Sequence, residues 1–322
     1  MLMRVGIIGV GAVGTACAKA MLLRGSCPEI VLVEKDDEQS QKRAEGVAAD
    51  LSHGAVLCPP TRICPGGYDD LADADIIVIT AGINEKSGAA IDRNDPRGRL
   101  LLLPFNAAIY REIIPRITKV NERAVILVVT DPPDPLAHIA QLLAPNNAVI
   151  STGTFLDSLR FRLQLANQLK CHPSSVDALV VGEHGTSQVY VWSTARVGTE
   201  PVLNHAARMT RAANKAWDEN TFRSEIEQKV RFANISIIEG TGASQHGIGI
   251  VTARLVEAIL RDEGLVAPVG VLQEEFGTNL SLPSIIGKSG AKPFMPPLST
   301  EEVSKLIESA TVIREALDGM LG

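Results

Sequence analysis

The opening residues restrict the fold more than any other part of the chain. Arg4-Val5-Gly6-Ile7-Ile8 reads as a short apolar strand, Gly9-Val10-Gly11-Ala12-Val13-Gly14 follows it, and a helical run from Thr15 to Arg24 comes next. Glycines at this spacing between strand and helix have separate uses. The first permits a tight turn, the second lets the backbone approach a pyrophosphate, and the third lets helix and strand pack closely, with the helix N-terminus facing the phosphates. Val5 to Ala20 is apolar enough to imitate a secretory signal, and Ala16-Cys17-Ala18 resembles a cleavage site, but the glycine spacing favours the nucleotide-binding turn. Twenty residues beyond Gly14, the apolar strand Ile30-Val31-Leu32-Val33 ends in Glu34. An acid there can accept hydrogen bonds from an adenosine ribose and favours NAD, although the following Lys35-Asp36-Asp37-Glu38 run also suits a solvated strand end.

The pattern continues. Ala74 to Thr80 and Ala124 to Thr130 are continuous apolar strands rather than alternating ones, and Ala148-Val149-Ile150 is a short further strand. Continuous strands are covered on both faces, as in parallel sheets, so the expected class is α/β with a doubly wound parallel sheet. The polar stretch from Ile83 to Gly98 is too long for an ordinary connection and reads as a functional loop carrying Lys86, Arg93 and Arg97, with Arg99 just after it.

In the second half, the run Ala178-Leu179-Val180-Val181 stops at Gly182-Glu183-His184-Gly185, which puts an imidazole at a strand end. Histidine titrates near neutrality, with an ordinary pKa of about 6.5, and so both gives and takes protons there. Earlier, Asp157 and Arg160 stand three apart in a helical run and share a face.

Gly9-x-Gly11-x-x-Gly14, Ala81-Gly82, Leu156-Asp157-x-x-Arg160 and Gly182-Glu183-His184-Gly185 together make the chain similar to the lactate and malate dehydrogenase family over nearly its whole length. The resemblance implies a Rossmann NAD-binding domain over residues 1–150 and a mixed α+β substrate domain over 151–322. It implies His184 as acid-base, Asp157 as its partner, Arg160 as the anchor of a substrate carboxylate, and Arg99 as the loop arginine that polarises the carbonyl, with Arg97 as rival. Ser244, Asp131 and Glu85 are the further substrate-side positions. The cofactor positions are Gly9, Gly11, Val13, Gly14 and Glu34 from the first unit and Thr80, Ala81 and Gly82 from the strand beyond. The activity implied is that of an NAD-dependent L-2-hydroxyacid dehydrogenase, lactate-like first and malate second. Alternatives of another class are an NAD-dependent glycosidase, for which Cys171-His172 is the only adjacent metal-binding pair, and an inactive nucleotide-binding relative.

The chain departs from the family in three places. The loop from Gly82 to Arg99 is about eight residues longer than in most lactate dehydrogenases and resembles the insertion of the apicomplexan enzymes. Asp131-Pro132-Pro133-Asp134 stands where relatives have Asn-Pro, so a carboxylate meets the substrate carboxylate, and Glu85 replaces the neutral or cationic residue that separates lactate from malate. Protonation of Asp131, a loop cation such as Lys86 or Arg93, or a donor on the substrate must offset that repulsion. Arg162 and Asp177 occupy the positions at which some bacterial relatives bind a sugar bisphosphate, so half of that anion site is missing.

The net charge of −6, with no dense run of Lys and Arg, argues against nucleic acid as partner. Five cysteines without metal-ligand spacing indicate no zinc site and no disulfide framework, and they suit a reducing cytoplasm. No apolar stretch is long enough for a membrane span. A homodimer or homotetramer is expected from the resemblance.

Overall fold

The computed structural model describes residues 3–88, 90–95 and 97–321. Its first half runs β1 (Arg4–Ile8), α1 (Ala12–Arg24), β2 (Glu29–Val33), α2 (Glu38–Ala55), β3 (Arg62–Gly66), β4 (Ile76–Ile79), α3 (Leu103–Val120), β5 (Val125–Val128), α4 (Pro133–Leu143) and β6 (Val149–Ser151). These six strands pair in parallel in the order β6-β5-β4-β1-β2-β3. The winding direction reverses between β1 and β4, and such a reversal leaves a crevice at the carboxyl ends of the two strands. The doubly wound sheet expected from the sequence is present. β2, β4 and β5 are buried from end to end, which is why, apart from Glu29 at the start of β2, they are runs of Val, Ile and Leu and do not alternate.

Two details differ from the sequence reading. α1 begins at Ala12 and not at Thr15, because the Thr15 amide already donates to the Gly11 carbonyl at 2.9 Å and the glycine turn closes straight into the helix. A β-carbon at Gly14 would lie 2.0 Å from the Gly9 carbonyl oxygen, so the third glycine is required by packing of turn against helix. β3 carried no clear signal: it is short, contains Pro65 and has an exposed Arg62. It forms the edge of the sheet, where a proline is tolerated.

The second half runs α5 (Phe155–Leu169), β7 (Val176–Val181), β8 (Val189–Val197), β9 (Glu200–Pro201), α6 (Val202–Ala212), α7 (Glu219–Arg231), α8 (Ala233–Thr241), α9 (His246–Leu260), β10 (Leu265–Gln273), β11 (Thr278–Gly287), β12 (Gly290–Pro293) and α10 (Thr300–Leu321). β7, β8 and β9 form a small antiparallel sheet of their own, and Phe161 of α5 meets Trp192 of β8 edge-on at 4.9 Å in the core beneath it. β10, β11 and β12 instead extend the first sheet. β10 joins antiparallel to β6 through Gly270 and Ser151, which gives one nine-stranded sheet. α9 lies on α1, with Gly249 against the Ala16 backbone and Arg24 bonded to Glu257 at both carboxylate oxygens, each at 2.7 Å. The halves therefore share a sheet and a buried helix contact, and this positions the β7 turn over the crevice. Among the described residues no helix is long and apolar enough to cross a membrane, and all five cysteines are free.

Candidate active site

The turn after β7 is held from three directions. Gly182 pairs with Ser281 of β11 through both backbone groups, at 2.9 and 3.1 Å. The Glu183 amide donates to Ser309 Oγ of α10 at 2.8 Å, and the buried Glu183 carboxylate accepts from the Ser187 amide and hydroxyl. The His184 amide donates to Asp134 Oδ2 at 2.7 Å. Asp134 is fully buried at the start of α4, and its other oxygen accepts from Ser151 and Ser281 hydroxyls at 2.7 and 3.1 Å. Burial pushes its carboxyl up to about 6 against the pull of those hydrogen bonds. Asp134 thus ties β6, β11 and the His184 turn together. In the sequence it stands out only as the end of Asp131-Pro132-Pro133-Asp134, because nothing local shows that an acid will be buried against a residue fifty positions on.

The imidazole is set by α5. His184 Nδ1 donates to Asp157 Oδ2, while Asp157 Oδ1 accepts from Arg160 Nη1 at 3.0 Å. Asp157 thus touches both Arg160 and His184, and of the three Arg160 and His184 line the cavity. Burial alone would raise the Asp157 carboxyl, but His184, Arg160 and Arg99 outweigh it and hold it well below the usual carboxylate range. An ionised Asp157 keeps the proton on Nδ1 and leaves Nε2 facing the cavity. Arg160 also lines that cavity, and its Nη1 is the atom bonded to Asp157.

The long loop supplies the remaining groups. Arg99, not Arg97, reaches the cavity: it is buried, whereas Arg97 is exposed and paired with Asp95 at 2.8 Å. Arg99 Nε lies 3.3 Å from Asp131 Oδ2, and Asp131 Oδ1 lies 3.7 Å from His184 Nε2. The cation facing Asp131 is therefore Arg99 and not Arg93, which binds Glu239 of α8 at 2.7 and 2.8 Å. Carboxylates of Asp131, Asp157 and Glu85 raise the Arg99 guanidinium despite the burial that opposes its charge. Glu85 and Lys86 line the cavity beside Asp131, and Ser244 lines it from the turn before α9. Asn106 of α3 joins these pieces. Its Oδ1 accepts the Ile83 amide at 2.7 Å, and its Nδ2 donates to the Asp131 carbonyl at 2.6 Å. Arg162 and Asp177, the incomplete anion site, face each other at 3.7 Å.

The crevice leads into this cavity. A β-carbon on Gly11 would meet nothing within 4 Å, so the glycine leaves open space where a ligand can approach the backbone. Gly11, Val13, Thr80 and Gly82 line the cavity's crevice side, and Gly9 turns at its base against Ala81. Glu34 accepts the Val10 amide at 2.7 Å, which fixes the carboxylate at the end of β2. Arg43 of α2 stands 3.6 Å from it, a cation that the sequence did not connect with Glu34. Open backbone, helix N-terminus and terminal acid fit a dinucleotide.

The family of lactate/malate dehydrogenase NAD-binding domains matches residues 3–151, and that of lactate/malate dehydrogenase α/β C-terminal domains matches residues 154–321. An L-lactate dehydrogenase of Deinococcus radiodurans is 42% identical over 313 residues, covering 97% of each chain. One of Thermus aquaticus is 38% identical over 325 residues, covering 99% of this chain and of its own. Among solved structures, the minor L-lactate dehydrogenase of Enterococcus mundtii in a ligand-bound form superposes with a TM-score of 0.87 at 31% identity, covering 99% of this chain and 98% of that one. A lactate dehydrogenase from a Medee basin deep-sea metagenome superposes with a TM-score of 0.86 at 32% identity, covering 99% of both.

The depressed Asp157 carboxyl has a consequence for stability. A group whose value falls on folding stabilises the native state above its unfolded value, about 3.9 for Asp, and loses that contribution as pH falls below it. Asp157→Asn should cost about 2–4 kcal/mol at pH 5, where two cations lose their buried counter-charge, and the gap should narrow toward pH 3. Urea unfolding of both proteins across that range measures it; a gap that stays constant or widens contradicts the assignment.

Proposed function

The chain belongs to the lactate/malate dehydrogenase family, and from that premise we propose that it is an NAD-dependent L-2-hydroxyacid dehydrogenase of the L-lactate type. It reduces a 2-oxo monocarboxylate to the L-2-hydroxy acid and runs the reverse. One observation carries the reading. His184 is held by Asp157 at one nitrogen while the other opens on a cavity shared with Arg160 and Arg99, at the end of the dinucleotide crevice. Bound NADH supplies the hydride.

The chain's own groups do the rest. Arg160 grips the substrate carboxylate in a planar, two-point contact. Arg99 directs its guanidinium at the C2 oxygen, and His184 Nε2 gives that oxygen a proton in reduction and recovers it in oxidation. Asp157 stabilises the imidazolium and fixes the ring. Burial of Arg99 and Asp157 strengthens each of these contacts by excluding water. Malate is the weaker candidate, because Glu85 and Asp131 would repel a second carboxylate. For a metal-dependent glycosidase, Cys171 and His172 are misplaced: they follow α5, and the His172 ring is bonded to Ser174 away from the cavity.

In this reading residues 1–150 hold the dinucleotide and residues 151–322 carry the acid-base and carboxylate-binding groups. The chain works in a cytoplasm as a homodimer or homotetramer. Five free cysteines support the compartment, and the exposed Val56, Leu57 and Ile250 support assembly.

His184→Ala should lose at least about two orders of magnitude in turnover of a 2-oxo acid while NADH still binds. NADH fluorescence and steady-state assays check the two halves, and an active variant contradicts the role. Cofactor choice is a separate expectation: the ribose phosphate of NADPH would meet the Glu34 carboxylate, so kcat/KM with NADH should exceed that with NADPH by at least about tenfold. Equal values would contradict ribose recognition by Glu34.

A further inference from the structure

Asp131 stands between the two groups that act on the substrate oxygen, 3.3 Å from Arg99 Nε and 3.7 Å from His184 Nε2. Its backbone is anchored. Asn106 holds its carbonyl and the Ile83 amide together, and the Thr130 hydroxyl donates to the Ala81 carbonyl at 2.9 Å. Two residues past Ile83 stands Glu85, and it and Asp131 both line the cavity that Arg160 and Ser244 share. Burial and the neighbouring Asp131 charge push the Glu85 carboxyl up. Arg99 faces this wall as the cation nearest Asp131.

The pairing with Arg99 is incomplete. Arg99 Nε is buried without a hydrogen-bond partner, so its contact with Asp131 is an ion pair lacking hydrogen-bond geometry. The cavity wall formed by Glu85 and Asp131 therefore presents carboxyl oxygens that still have room for a donor. With the substrate carboxylate on Arg160 and its C2 oxygen at His184 and Arg99, the substituent on C2 is the part left to meet this wall. A methyl group leaves those oxygens unpaired, a second carboxylate adds a like charge, and a hydroxyl donates to them.

Resting on the dehydrogenase reading, we propose that Glu85 and Asp131 form an acidic wall that selects 2-oxo acids with a hydroxyl on C3 over those with a bare methyl or a second carboxylate. The pair then takes the place of the neutral or cationic residues expected at these positions in the family. Sites that hydrogen-bond a substrate hydroxyl discriminate strongly against analogues lacking it, because their own buried groups are left unpaired.

The test measures kcat/KM with NADH for pyruvate, 3-hydroxypyruvate and oxaloacetate in the unaltered protein, Glu85→Gln and Asp131→Asn, with NADH binding followed by fluorescence. Ratios between substrates within one protein cancel any loss of folded enzyme. The unaltered protein should prefer 3-hydroxypyruvate to pyruvate by at least about tenfold, and that ratio should fall to within about threefold of unity in either variant. Oxaloacetate should gain on pyruvate in both variants by at least about tenfold, as charge is removed. A preference for pyruvate in the unaltered protein, or ratios that neither variant shifts, overturns the acid pair while leaving the dehydrogenase reading intact. NADH binding without turnover of any of the three overturns both.

Discussion

A single buried carboxylate organises the site. Asp157 touches the imidazole of His184 with one oxygen and the guanidinium of Arg160 with the other, and little water reaches it. A lone charge at that depth would be strongly unfavourable, so Asp157 is stable as an anion only because both partners are present. The dependence is mutual: without the anion, the ring loses its fixed tautomer and Arg160 loses the carboxylate bonded to its Nη1. The imidazole and the guanidinium are thus positioned by the same two oxygens, which fixes the distance between them.

The fold makes this possible by bringing distant segments to one place. α5 carries Asp157 and Arg160, the β7 turn carries His184, and the loop before α3 carries Arg99. The β7 turn is attached to β11 through Gly182 and Ser281, and β11 belongs to the sheet whose other members cradle the dinucleotide. Asp134 completes the connection by accepting from the His184 amide and from serines of β6 and β11. The crevice and the imidazole consequently belong to one framework, the kind of rigidity that near-attack geometry needs. The loop is held differently. Its exposed Arg93–Glu239 pair contributes little to stability, and Asn106 anchors only its first residue.

What could be read from the sequence was what depends on near neighbours. The strand, glycine turn, helix and Glu34 are local in the chain, and so is the three-residue spacing that puts Asp157 and Arg160 on one helix face. The buried strands declared themselves by unbroken runs of Val, Ile and Leu. Long-range partnerships left no such mark. Nothing around Asp134 signals that it lies beneath His184, nothing around Arg43 signals Glu34, and the choice of Arg99 over Arg97 turns on which side chain the loop buries. The substitution at Asp131 was visible, but its offsetting partner was sought among the tips of the loop, on Lys86 and Arg93. The partner is the arginine already assigned to the carbonyl, a sharing that only three-dimensional proximity reveals.

The central claim is that His184 delivers a proton to a 2-oxo acid while Arg160 holds its carboxylate. Its most direct test is calorimetric titration of the NADH complex with oxamate, an unreactive 2-oxo acid mimic, at about pH 8 in buffers of differing ionisation enthalpy, where an ordinary imidazole is mostly neutral. The account predicts that binding draws close to one proton from the buffer and that His184→Ala removes this uptake. Oxamate binding of equal strength with no proton taken up, or with uptake unchanged in His184→Ala, would contradict it.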